Sequence, residues 1–150
     1  MTRRVVLDAN ILIRASLGSR VGQLILEAQR KCDLFTPEVC ALDAEKHLVL
    51  IADSRGIAVE PMQRALRTAL VCVEVLDSEF TATNRALCEA LIRDPDDWPV
   101  LSAAIALGAT VWSEDQDFFG TDVPSLVCRN VQRWLSSPVF GSMISSESDA

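Results

Sequence analysis

Short aliphatic runs alternate with longer helical stretches along almost the whole chain, and no other feature narrows the possible fold as much. Residues 4–8, Arg4-Val5-Val6-Leu7-Asp8, read as a buried strand that ends on an acid. A helix is expected from Asn10 to about Ala15, and a second, capped by Ser19, to about Arg30. A strand follows at 32–36. Thr36-Pro37-Glu38 then has the pattern of a helix start: a cap residue, proline at the first helical position, and an acid in the first turn. That helix should run to Ser54 and stop at Arg55-Gly56. Glu60-Pro61 opens another to about Ala69, and the β-branched run at 71–76 predicts a strand. Asp77-Ser78 caps a helix to Arg93, residues 94–99 form a loop, and an alanine-rich helix spans 100–107 before Gly108. Strands at 109–113 and near 126–128 and a short helix through Leu135 complete the pattern. Strands that alternate with helices make βαβ units, so the expected fold is α/β, with a parallel sheet covered by helices on both faces.

The 150 residues suffice for one domain, placed at 1–136. From Ser136 the composition turns to Ser, Gly and acids, and 137–150 is expected to be a flexible tail. Hydrophobic residues make up 49% of the chain and aromatics 5%, which predicts a core built on aliphatics. No run approaches the roughly 18 to 20 apolar residues of a membrane helix, and the first residues lack the apolar stretch of a signal peptide. A cytoplasmic, non-membrane protein is expected. The five cysteines are odd in number and lack Cys-x-x-Cys spacing, as buried reduced thiols would be. His47 is the only histidine, which disfavours a zinc site, a catalytic triad and histidine acid–base chemistry. No glycine-rich nucleotide motif is present. The net charge of −7 counts against a nucleic-acid partner, although twelve of the fourteen cations are arginine, suited to bidentate phosphate contact.

The acids carry the functional signal. Ligands of open α/β sheets bind outside the carboxyl ends of the strands. Asp8 stands at one such end, Asp115 and Asp117 just past another, and Asp97 at the start of the helix that feeds the second. Packed carboxylates repel unless a cation shares them, and oxygen ligands without histidine or cysteine select Mg²⁺ or Mn²⁺. Each acid also has a plain structural reading. Asp8 suits a turn, Asp94, Asp96 and Asp97 suit caps and turns, and Asp115-Gln116-Asp117 suits a solvated turn. His47 reads as a surface or satisfied helix residue, and Trp98 and Trp112 as core or rim. The acids point to chemistry because three separate segments bring them to one edge.

At these residues the chain resembles the PIN-domain nucleases. Val5-Val6-Leu7-Asp8-Ala9-Asn10-Ile11-Leu12 resembles the opening strand and first acid of that family, 93–101 its central acidic motif, and 112–119 its closing motif. The resemblance covers about residues 4 to 135. It implies a PIN-like three-layer α/β/α sandwich with a mostly parallel sheet, and an acidic site that holds Mg²⁺ or Mn²⁺ and hydrolyses RNA. Carried over by position, Asp8, Asp97 and Asp115 are metal ligands and catalytic acids, with Asp117, Asn10 and Ser113 in support. The second acid departs from the family's usual Glu. Asp43 takes that position and Glu45 is the fallback; at about 100° per residue the two face directions roughly 200° apart, so only one can serve. Arg14 and Arg93 are the candidate phosphate contacts. The resemblance also implies a toxin role with an antitoxin protein as partner, and a homodimer. Competing readings are a phosphatase or phosphotransferase with Asp8 as nucleophile, which would want an acid where Asn10 stands, and a non-catalytic module of the same fold.

Overall fold

In the computed structural model of the protein, which describes residues 2–92, 95–115, 118, 120–121 and 123–137, the alternation of strand and helix holds throughout. The elements are β1 (Arg3–Leu7), α1 (Ala9–Leu17), α2 (Ser19–Gln29), β2 (Cys32–Pro37), α3 (Glu38–Arg55) and α4 (Glu60–Val71). Then come β3 (Glu74–Leu76), α5 (Ser78–Ala82), α6 (Arg85–Leu91), a 3-10 turn at Pro95–Asp97, α7 (Trp98–Leu107) and β4 (Thr110–Trp112). β5 (Ser125–Leu126), a 3-10 turn at Cys128–Asn130 and α8 (Val131–Ser136) follow. Arg93, Asp94, Asp117 and the tail from 138 onward lie outside the described residues.

Every strand pair is parallel, in the order β3-β2-β1-β4-β5. β1 is central, so Val5, Val6 and Leu7 are buried on both faces, as a continuous apolar strand must be. The chain steps from β1 to β2 to β3 in one direction, then crosses back to lay β4 on the other side of β1. Right-handed crossovers in opposite directions send their helices to opposite faces. Accordingly α2, α3 and α4 pack around α1, whereas α7 lies across β1, β2 and β4 with α5 and α6 against it. The reversal of direction between β1 and β4 leaves a crevice at their carboxyl ends, where such sheets bind ligands.

Several local expectations change, each for a local reason. Thr36 does not cap α3. It remains in β2, wholly buried, and its hydroxyl donates to the Leu7 carbonyl at 2.8 Å, while Pro37 takes the N-cap position. Ser19 is the first residue of α2 and Gly18 its cap residue, with no side-chain cap bond. The strand expected at 71–76 shortens to 74–76, because the N–H groups of Cys72 and Val73 still serve helix carbonyls at Ala69 and Leu70. The helix expected from 78 to 93 is two helices. At its break the hydroxyls of Thr81 and Thr83 bond back to the carbonyls of Ser78 and Phe80, a local alternative to helix that threonine favours. Asp77 does cap the first, accepting from Phe80 N–H at 2.9 Å.

α7 begins at Trp98, two residues before the sequence pattern suggested, and is buried continuously from Pro99 to Ala104. It ends at Gly108, whose φ of 62° is the left-handed conformation that glycine adopts at least cost. Arg3 fastens α8 to the start of β1, donating to the Trp134 carbonyl at 2.7 Å with its guanidinium 4.2 Å from that indole. Among the described residues no helix is long and apolar enough to cross a membrane.

Candidate metal centre

The centre begins where β1 runs out. Asp8 leaves the strand with extended backbone, keeps its N–H on the Trp112 carbonyl at 3.1 Å, and becomes the N-cap of α1. Its carboxylate accepts from Ala9 N–H at 2.7 Å, from the Ser113 hydroxyl at 2.8 Å and from the Asn10 amide at 3.2 Å. The residue is only 6% exposed. Burial pushes its carboxyl above the usual carboxylate range. The Ser113 and Ala9 bonds pull part of the way back, and the negative charges of Asp115 and Asp43 add to the rise. Three donors thus hold the buried carboxylate in place.

Asn10 and Ser113 join the ends of β1 and β4. The Asn10 amide also donates to Ser113 Oγ at 3.0 Å, and its Oδ1 accepts from Glu114 N–H at 3.2 Å. Ser113 Oγ in turn accepts from Asp115 N–H at 2.9 Å. Asp97 arrives from the opposite face, at the N-cap position of α7, yet its side chain makes no cap bond to that helix. One carboxylate oxygen from each of Asp8, Asp97 and Asp115 lies within 4.8 Å of the other two. Oxygens bound about 2.0 to 2.1 Å from Mg²⁺ lie at most roughly 4.2 Å apart, so the three stand close to the spacing at which they could share an ion. The donor set is oxygen alone, which suits Mg²⁺ or Mn²⁺.

Asp43 and Glu45 flank buried Ala44 on α3 and are both exposed. Neither belongs to the group of three at that spacing among the described residues. Asp43 is the one whose charge reaches Asp8 and Cys40. Cys40 lies buried beneath, its thiol pushed far up by burial and then by the charge of Asp8. His47, exposed, has its Nδ1 2.9 Å from the Asp43 carbonyl on its own helix. Trp112 is buried, and Trp98 is half-buried beneath Arg85, 4.9 Å from its ring. All five cysteines are free thiols. Arg14 is exposed on α1, one turn beyond Asn10, whereas Arg93 and Asp117 are not among the described residues.

Glu114 and Cys128 were not singled out in the sequence. Glu114 Oε1 accepts from Cys128 N–H at 2.7 Å. Burial pushes the Glu114 carboxyl up, but hydrogen bonds from the Cys128 thiol and N–H, with Arg14 and Arg129 nearby, more than reverse this and leave it below the usual range. Burial and the adjoining Glu114 push the Cys128 thiol up to about 11. The available signal was the place of Glu114 between two residues already marked, Ser113 and Asp115.

The PIN domain family model matches residues 6–136 of this chain. Among solved structures, PAE2754 from Pyrobaculum aerophilum superposes with a TM-score of 0.67 at 16% identity, covering 92% of this chain and all of that one. VapBC2 from Rickettsia felis, bound to a DNA fragment from its promoter, gives a TM-score of 0.64 at 16% identity, covering 83% of this chain and 98% of that chain. A toxin–antitoxin complex from Klebsiella pneumoniae gives 0.60 at 19%, covering 83% and 97%. At these identities the likeness shows the fold. No curated protein sequence matches the chain.

Three crowded carboxylates should destabilise the metal-free protein. Asp97→Asn is therefore expected to leave the melting temperature in chelator equal to or above that of the unsubstituted protein. A marked drop would make Asp97 a structural residue of the α7 entry.

Proposed function

Because the chain belongs to the PIN-domain family, whose model spans residues 6–136, we propose that it is a Mg²⁺- or Mn²⁺-dependent endoribonuclease and the toxin of a toxin–antitoxin pair. The observation that carries the nuclease reading is the convergence of Asp8, Asp97 and Asp115 at the carboxyl edge of the sheet. In this reading those three hold the ion, and Asp43 closes the ring from α3, with Glu45 the fallback. Asn10 and Ser113 orient Asp8. When bound, the ion supplies positive charge for the phosphodiester transition state and activates water as the nucleophile. The Asn10 amide, committed to Asp8 and Ser113, supports hydrolysis over a mechanism with Asp8 as the covalent nucleophile.

RNA cleavage by the purified protein should require Mg²⁺ or Mn²⁺, stop in chelator, and be lost in Asp8→Ala and Asp115→Ala. His47→Ala should stay active. Cleavage that survives chelation, or depends on His47, would refute the mechanism.

With a net charge of −7, affinity must come from local phosphate contacts and the ion itself. Arg14, on the rim beside Glu114, is the proposed contact within the described residues, and Arg93 is its counterpart in the central acidic segment. Arg14→Ala should raise KM more than it lowers kcat. It should also flatten the dependence of binding on salt by about one unit of log–log slope. An unchanged slope would leave Arg14 structural.

The toxin role draws support from the Rickettsia and Klebsiella assemblies that share this fold. Its partners would be an antitoxin protein and a second copy of the chain. Exposed Leu42, Val49 and Leu50 on α3 supply an apolar surface for association. Co-expression with a small protein encoded beside the gene should suppress cleavage and yield a complex on sedimentation. Full activity beside every such product, and a lone monomer, would remove the toxin reading and leave the nuclease one.

A further inference from the structure

Asp115 follows β4, whose pairing with β5 is short. β4 has three residues and β5 two, and the last backbone bond between them at this end runs from Ser113 N–H to the Leu126 carbonyl at 3.0 Å. Beyond it, the segment that presents Asp115 has left the ladder. Hydrogen bonds that hold residues 114 and 115 include Glu114 N–H to Asn10 Oδ1, Asp115 N–H to Ser113 Oγ, and Cys128 N–H to Glu114 Oε1, with the Cys128 thiol also donating to the Glu114 carboxylate. Those of Glu114 pull in different directions, its N–H toward the start of α1 and its carboxylate toward the exit of β5.

The Cys128 donor is itself informative. Cys128 opens the 3-10 turn at Cys128–Asn130, and its cap residue Val127 offers no side-chain bond. The first N–H groups of a helical turn lack partners within it, and a negatively charged acceptor there is favoured. Glu114 supplies that acceptor from another strand, at a short charge-assisted distance of 2.7 Å. Arg14 and Arg129 lie close enough for their charges to favour the ionised Glu114 carboxylate. Glu114 contributes no oxygen to the group formed by Asp8, Asp97 and Asp115.

We infer that Glu114 is a positioning residue for the metal centre, clamping the segment after β4 between Asn10 and Cys128 so that Asp115 is held at ligand distance from Asp8 and Asp97. The inference rests on the reading of these acids as a metal centre. The reach of the side-chain oxygen sets where the segment lies, and its charge strengthens the bond. Residues that orient ligands in this way commonly change metal affinity 10- to 100-fold when replaced.

Mn²⁺ titrated into the full chain by calorimetry, with melting in chelator recorded alongside, tests this through two small substitutions. Glu114→Asp keeps the charge but is one carbon too short to reach Cys128, and it should weaken Mn²⁺ binding at least tenfold. Glu114→Gln keeps the reach and loses the charge, and it should bind Mn²⁺ within about threefold of the unsubstituted protein. Unaltered Mn²⁺ affinity in Glu114→Asp, whatever its melting temperature, would make the bridge a brace of the sheet edge and overturn the inference. So would the reverse order of the two variants. Failure of the unsubstituted protein to bind Mn²⁺ would overturn the metal-centre reading itself, and the clamp with it.

Discussion

A carboxylate buried at the end of the central strand is the constraint around which this structure is arranged. Asp8 has lost nearly all contact with water, and an ionised acid in that position needs donors. It finds them in the first N–H of α1, in the amide of Asn10 one helical residue further on, and in the hydroxyl of Ser113 at the end of the neighbouring strand. Satisfying Asp8 therefore joins β1, α1 and β4. The hydrogen bonds do not neutralise its charge, and the nearby Asp115 and Asp43 make it harder to sustain. An edge built this way concentrates negative charge, which a cation would relieve.

The sheet order explains why the acids meet at this edge. With β1 at the centre and the chain reversing direction between β1 and β4, the carboxyl ends of those two strands open onto the crevice. α7, running back over β1, β2 and β4, delivers its N-terminal residue Asp97 to the same rim. The helix is alanine-rich and buried along most of its length, so it can lie close to the strands. Asp97 thus reaches the centre because small side chains elsewhere on α7 allow close approach.

The rim also separates charge on a short length scale. Asp8, Asp97 and Asp115 converge, and the charges of Arg14 and Arg129 act on the adjoining Glu114. A chain of net charge −7 can in this way carry locally mixed charge, with carboxylates and guanidinium groups on neighbouring residues. Long-range attraction plays little part in such an arrangement, since opposite charges within a few ångströms screen each other at a distance.

Features governed by near neighbours were legible in the sequence. The apolar run closed by Asp8, the glycine after Leu107, the Asp77 cap and the place of Asp97 at the start of α7 all depend on a few adjacent residues, and so does the alternation that makes the sheet parallel. Where local signals competed, the sequence misled. Thr36 has the chemistry of a cap, but the Leu7 carbonyl across the sheet claims its hydroxyl. The β-branched run after Ala69 reads as strand, but α4 continues through its first residue. Strand order, the rotation of α3 that brings the charge of Asp43 to bear on Asp8, and the bond between Glu114 and Cys128 were decided only by tertiary structure. Each depends on groups brought together by packing, whereas helix period, capping and turn chemistry act within a few residues. The sequence by itself therefore marked the acids at the strand ends, and tertiary packing decided that Asp8, Asp97 and Asp115 stand close together.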